Sequence, residues 1–168
     1  MNPMREIRID KVVLNIGTGE GGDKLANAEK VLESIAGQKP RRAHAKKAVR
    51  EWGVKEGTPI GCTVTLRRER AMEILKKMFE AVERHLKASS FDDRGNFSFG
   101  VKEHIDIPGV SYDPELGVFG MDVCVTLTMP GYRVKRRRRL SHPIPASHMI
   151  SKEKAINFVS DKFGVQVV

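Results

Sequence analysis

Between Met121 and Met129 the chain alternates without a slip. Met121, Val123, Val125, Leu127 and Met129 are apolar, and Asp122, Cys124, Thr126 and Thr128 fall between them. A period of two puts successive side chains on opposite faces of an extended strand. The segment therefore predicts a sheet with one face in a core and one face that stays polar.

Three other stretches extend this sheet. Over 6–16, Val12, Leu14 and Ile16 alternate with Lys11, Val13 and Asn15. Over 58–68, Ile60, Cys62, Val64 and Leu66 alternate with Thr63, Thr65 and Arg67. Phe97, Phe99 and Val101 predict a further strand. Helical spacing appears over 23–36 (Leu25, Ala28, Leu32, Ile35, Ala36), with Asp23 as N-cap and Gly37 as terminator. It recurs over 69–87 (Met72, Leu75, Phe79, Val82, Leu86) and over 152–163 (Ile156, Val159, Phe163), with Gly164 placed to cap the last helix. Val165–Val168 adds a short edge strand. Helices need a surface to cover, and each strand offers one apolar face. The expected fold is α+β: an antiparallel or mixed sheet with helices packed on one face and the other face polar. At 168 residues the chain forms a single domain, 1–168.

The polar face gathers Asn15, Thr63, Thr65, Arg67, Asp122, Thr126 and Thr128. It is rich in hydrogen-bonding groups and poor in charge. It supports two readings, a solvated sheet face or a surface that hydrogen-bonds ribose and base edges.

Charge narrows the choice. The chain carries 30 Lys and Arg against 21 Asp and Glu, and the excess sits in two short segments. Residues 39–55 hold Lys39, Arg41, Arg42, Lys46, Lys47, Arg50 and Lys55 against Glu51 alone, with His44 and Trp52 among them. Residues 133–139, RVKRRRR, hold Arg133, Lys135, Arg136, Arg137, Arg138 and Arg139 and no acid. The rest of the chain is mildly acidic. Positive charge focused on two arms is the footprint of a polyanion binder. The segment 38–57 lacks apolar periodicity and is expected to be a long loop flanked by short strand ends. Trp52, inside it, either stacks on bases or anchors the base of the loop on the core, and anchoring is the preferred role.

Other classes are disfavoured. No apolar run reaches the ~18 residues of a membrane span, and MNPMREIRID lacks the apolar core of a signal peptide. Cys62 and Cys124 have no metal-finger spacing, so neither a disulfide scaffold nor a zinc site is expected, and a cytosolic protein is the default. Gly17, Gly19 and Gly22 match a dinucleotide fingerprint between strand and helix, which keeps a nucleotide-dependent enzyme as the alternative. No acidic residue closes that unit, since the basic loop stands there, and no Walker lysine succeeds the glycines. Glu103, His104 and Asp106 lack a paired nucleophile and are expected to be structural. His142 and His148 lack further ligands for a metal. A free-standing DNA-binding module is a third class. No cofactor or catalytic residue is assigned.

In order along the chain come VVLNIGTGE, AGQKP, KKAVREWGVKEGTPIGCTVTLR, FDDRGNFSFGVKEH, GVFGMDVCVTL and PGYRVKRRRR. Together they resemble the universal large-subunit ribosomal protein L-five family, called L-eleven in eukaryotes, in its archaeal-type branch. The resemblance implies a non-enzymatic component of the cytoplasmic ribosome. It implies a place in the central protuberance of the large subunit, among other ribosomal proteins there. It implies contacts with 5S rRNA, 23S rRNA and the P-site tRNA, a bridge to a small-subunit protein of the S-thirteen family, and no membrane. The family's 5S rRNA contacts correspond to Asn15, Gln38 and Thr65, beside Thr63 and Arg67 on the polar face. Its P-site loop corresponds to 41–56, with Lys46, Lys47 and Arg50 expected near the tip. Family members often carry Phe where Trp52 stands.

Overall fold

The computed structural model describes residues 2–168. Five strands form its main sheet: β1 (Arg8–Gly17), β2 (Arg41–His44), β3 (Pro59–Leu66), and two later ones. A two-residue strand, β4 (His85–Leu86), lies apart from that sheet, which β5 (Phe97–Val101) and β6 (Met121–Thr128) complete. The order is β2-β3-β1-β6-β5, and every pairing in it is antiparallel. The expected α+β class is observed, in its antiparallel form.

The inner face is built from the apolar members of the alternating runs. Val12, Leu14 and Ile16 of β1, Cys62, Val64 and Leu66 of β3, and Met121, Val123, Val125 and Leu127 of β6 are all buried. Three helices close over them: α1 (Asp23–Ala36), α2 (Arg68–Ala81) and, near the C-terminus, a third. A one-turn helix, α3 (Arg133–Arg136), precedes that last one, α4 (Lys152–Phe163). Leu25, Leu32, Leu75, Phe79, Val159 and Phe163 join the same buried cluster as the strands. One core therefore lies on one side of the sheet.

Close strand approach accounts for one glycine. A Cβ on Gly61 would lie 2.7 Å from the Ile16 carbonyl oxygen, closer than the β1–β3 ladder tolerates.

Three local expectations are corrected. The second helix stops at Ala81 and does not reach residue 87. Glu83 and Arg84 adopt left-handed φ of 54° and 58°, and the chain turns into β4. There it pairs in parallel with β7 (Gln166–Val167), through Gln166 N–H to Arg84 O at 2.8 Å and Val168 N–H to Leu86 O at 2.9 Å. Leu86 still reaches the core, so its place in the apolar stripe is met by a strand. For the same reason the C-terminal strand makes its own small sheet and does not extend the main one. The third correction concerns α1: Gly22, not Asp23, occupies the N-cap, and Asp23 sits in the first turn, where its carboxylate faces the positive end of the helix. The basic stretch 38–57 is a loop with a short strand at its start, as expected: β2 pairs with β3, and backbone hydrogen bonds organise the residues between them.

Candidate nucleic-acid interface

Among the described residues no helix longer than one turn covers the outer face of the main sheet. Its side chains stand in rungs. One rung runs Arg41, Thr63, Asn15, Asp122, Gly100 across β2, β3, β1, β6 and β5. The next runs Thr65, Val13, Cys124, Ser98, and a third pairs Lys11 with Thr126. Asn15 and Thr63 are half-buried, while Thr65, Asp122 and Ser98 are exposed. Among the described residues these five side chains make no hydrogen bond and no salt bridge within the chain. Apart from the Asp122 carboxylate these are neutral donors and acceptors with no internal partners, suited to reading ribose and base edges. Asn15, Ser98, Phe99, Gly100, Asp122 and Cys124 line a shallow groove along it. Ser98 and Gly100 were not singled out from sequence, although the period of two through Phe97, Phe99 and Val101 places them outward.

Arg67 lies at the end of this face, and it is engaged. Its guanidinium stands 3.6 Å from Asp10, whose other carboxylate oxygen accepts from Arg136 at 2.8 Å. Asp10 thereby ties α3, and the basic segment with it, to β1. Gln38 and Lys39 are exposed just before β2, and Arg41 and His44 are exposed on it. Arg42 points to the other side, where it forks onto Glu29 of α1 at 2.5 and 3.0 Å. That arginine holds β2 against α1.

Beyond β2 the chain forms an ordered protrusion. Ala45 and Gly57 are hydrogen-bonded at its base, and Val49 and Val54 exchange bonds of 2.9 and 3.1 Å further out. Arg50–Trp52 makes the tip as a single 3₁₀ turn. Lys46 and Lys47 lie on the stem, so only Arg50 of the expected three is at the tip. Trp52 is 77 % exposed and anchors nothing, which corrects the role preferred from sequence. The stem is closed by backbone pairing and buried Ala45, so no aromatic anchor is required.

In the second basic segment Arg137 donates to the Leu140 carbonyl at 2.7 Å and Arg136 is held by Asp10. Arg133, Lys135, Arg138 and Arg139 are exposed and form no salt bridge among the described residues.

Two family models match the chain almost end to end. Residues 2–55 match ribosomal protein L5, and residues 59–159 match the C-terminus of the same ribosomal family. The chain belongs to the ribosomal protein L5 family. Large ribosomal subunit protein uL5 of Sulfurisphaera tokodaii is 51 % identical over all of this chain and 96 % of its own length. The proteins of that name from Sulfolobus acidocaldarius and Methanococcus aeolicus are each 49 % identical, over 99 % and 98 % of this chain and 94 % and 93 % of theirs. These archaeal relatives agree with the archaeal-type branch indicated by PGYRVKRRRR. L5 proteins are ribosomal proteins and not an enzyme family.

Membership explains the motifs that looked catalytic. The glycine-rich turn of this L5 protein closes onto β3, with Thr18 and Gly19 N–H groups both donating to the Ile60 carbonyl at 3.0 Å. Because β1 pairs antiparallel with both neighbours, no parallel βαβ unit exists to present a dinucleotide there. His104 is 2 % exposed and hydrogen-bonded to Phe119 through both its backbone N–H and its Nδ1, so it locks a loop. His148 Nε2 meets the Pro130 carbonyl at 2.8 Å and His142 is exposed. Among the described residues no group of three or more potential ligands could hold a metal ion, and no helix is long and apolar enough to cross a membrane.

Proposed function

We propose that this L5 protein is a structural component of the large ribosomal subunit, in its central protuberance, that recognises 5S rRNA with the uncovered sheet face. The observation that carries this reading is the set of unpartnered side chains on that face, Asn15, Thr63, Thr65 and Ser98, flanked by exposed Gln38, Lys39 and Arg41. Hydrogen bonds from such groups read nucleotide edges and 2′-hydroxyls, which charge alone cannot do. The ordered protrusion within 41–56 extends from the same sheet edge and touches the P-site tRNA, with Lys46, Lys47, Arg50 and exposed Trp52 on it. Arg133, Lys135, Arg138 and Arg139 hold 23S rRNA phosphates. Other central-protuberance proteins and a small-subunit protein of the S-thirteen family complete its surroundings. The archaeal relatives named as large-subunit proteins support the particle, and the geometry supports the division of labour.

The test is 5S rRNA binding by the double variant Asn15→Ala, Thr65→Ala. Losing two hydrogen bonds of about 1 kcal/mol each should weaken binding tenfold or more. Deleting 46–56 should leave 5S rRNA binding within twofold and impair tRNA placement in reconstituted subunits. A loop deletion that abolished 5S rRNA binding would refute the division of labour.

A further inference from the structure

Beneath the second basic segment, at the end of the sheet face marked by Thr126, lies a cavity that the proposed 5S rRNA contacts and the protrusion do not use. Its volume is about 190 Å³. Leu127, Tyr132, Ile144 and Met149 give it apolar walls, and Arg94 and Lys135 stand at its rim, with no acidic residue among those that line it. The cavity opens where the sheet is incomplete. The β5–β6 ladder ends at the pair Phe97–Val125, whereas β1 continues to pair with β6 as far as Thr128. Thr126 and Leu127, which line the cavity, therefore border an edge that β5 leaves uncovered. The wall is built firmly. Tyr132 accepts a hydrogen bond from the Ile150 N–H at 2.9 Å, and its ring meets His148 edge-on with centroids 6.1 Å apart.

We infer that this cavity receives one unpaired nucleotide of ribosomal RNA, base inward between Tyr132 and Met149, with its phosphate at Arg94 and Lys135. The inference rests on the rRNA-binding reading and names a site within it. Size restricts the occupant: a cavity of about 190 Å³ is on the scale of one heterocyclic base and not of a base pair. Polarity restricts it further. An aromatic ring and a thioether suit the face of a base. Two cations at the rim suit the phosphate attached to that base, and they oppose a cationic ligand. Arg94 and Lys135 are free for this, since neither forms a salt bridge among the described residues. Arg136, which also lines the cavity, is held by Asp10 and braces the wall. Exposed Arg133, Arg138 and Arg139 continue the cationic path for the neighbouring phosphates.

The experiment uses the full chain with 5S rRNA and with 23S rRNA in separate arms, so that an effect confined to one identifies the source of the nucleotide. Met149→Trp plugs the cavity, and Met149→Leu preserves it. The plug should weaken binding in one arm about tenfold, within the range expected for one lost base–aromatic stack, and the leucine variant should stay within twofold. Irradiation of rRNA carrying 4-thiouridine should attach it to a peptide spanning 126–149. Should Met149→Trp fail to fold, Arg94→Ala with Lys135→Ala decides: severalfold weaker binding and loss of that crosslink support the site. Unchanged affinity in both arms, with crosslinks confined to the sheet face or to 41–56, overturns the cavity and leaves the rRNA reading standing. Absence of any rRNA binding by the wild-type chain overturns both.

Discussion

The two cysteines occupy opposite sides of one sheet. Cys62 pairs with Ile16 and Arg42 on the core side and is fully buried, and burial, with a lesser contribution from the Glu29 charge, pushes its thiol up to about 11. Cys124 stands on the outer face between Val13 and Ser98, and partial burial followed by the Asp122 charge raises its thiol as well. Both are thiols, not thiolates, near neutrality, which slows but does not prevent alkylation at an accessible sulfur. In the folded protein maleimide should therefore label Cys124 slowly and Cys62 not at all, with both reacting after unfolding. Saturating 5S rRNA should protect Cys124 severalfold, as mass spectrometry of the labelled peptides would record. Equal labelling with and without rRNA would remove the sheet face from the interface. The alternation around Cys124 made its orientation readable in advance. The engagement of Arg42, Arg67 and Arg136 was not readable, because their acidic partners Glu29 and Asp10 lie 13, 57 and 126 residues away.

At the scale of elements, β2 is a short edge strand whose far side depends on α1. The Arg42 fork on Glu29 supplies that link and holds the Glu29 carboxyl below its ordinary value near 4.5, chiefly through the hydrogen bond itself. A carboxyl lowered by folding contributes stability that is complete above its unfolded value and fades as pH falls through its folded one. Glu29→Gln should therefore lower Tm at pH 7 by a few degrees at most, since a pair whose arginine is solvent-exposed is worth ~0.2–1 kcal/mol. The gap between variant and wild type should narrow as pH falls below the ordinary carboxylate value near 4.5 and close in strong acid, once the folded carboxyl is protonated. Thermal melts at the two pH values decide it, and a gap that persisted in acid would point to packing and not charge. The C-terminal ends of α1 and α4 were legible because a glycine cap and the end of the periodicity coincide there, at Gly37 and Gly164. That of α2 was not: the apolar stripe runs on to Leu86, and only pairing with a strand 81 residues downstream ends the helix early.

For the whole molecule, free and engaged cations divide the charge into two populations. Arg138 and Arg139 face solvent without salt bridges among the described residues, while Arg42 is spent on Glu29. Each phosphate neutralised contributes about −0.7 to −0.9 to the slope of log K against log salt. Arg138→Ala with Arg139→Ala should thus flatten the 23S rRNA slope by up to about 1.4 to 1.8, and Arg42→Ala should leave it unchanged. A salt series on the three proteins would measure this, and equal slopes would show that the arm does not bear on phosphates. The sequence alone determined the α+β class, the inward and outward faces of the strands, the two cationic segments and the family, because period, charge and motif order are written locally. Only the tertiary structure decided which cations stay free, that the protrusion is ordered with Trp52 outermost, and that β5 stops short and leaves a cavity beside β6. Those features depend on partners brought together across long sequence separations, and no local pattern encodes such contacts.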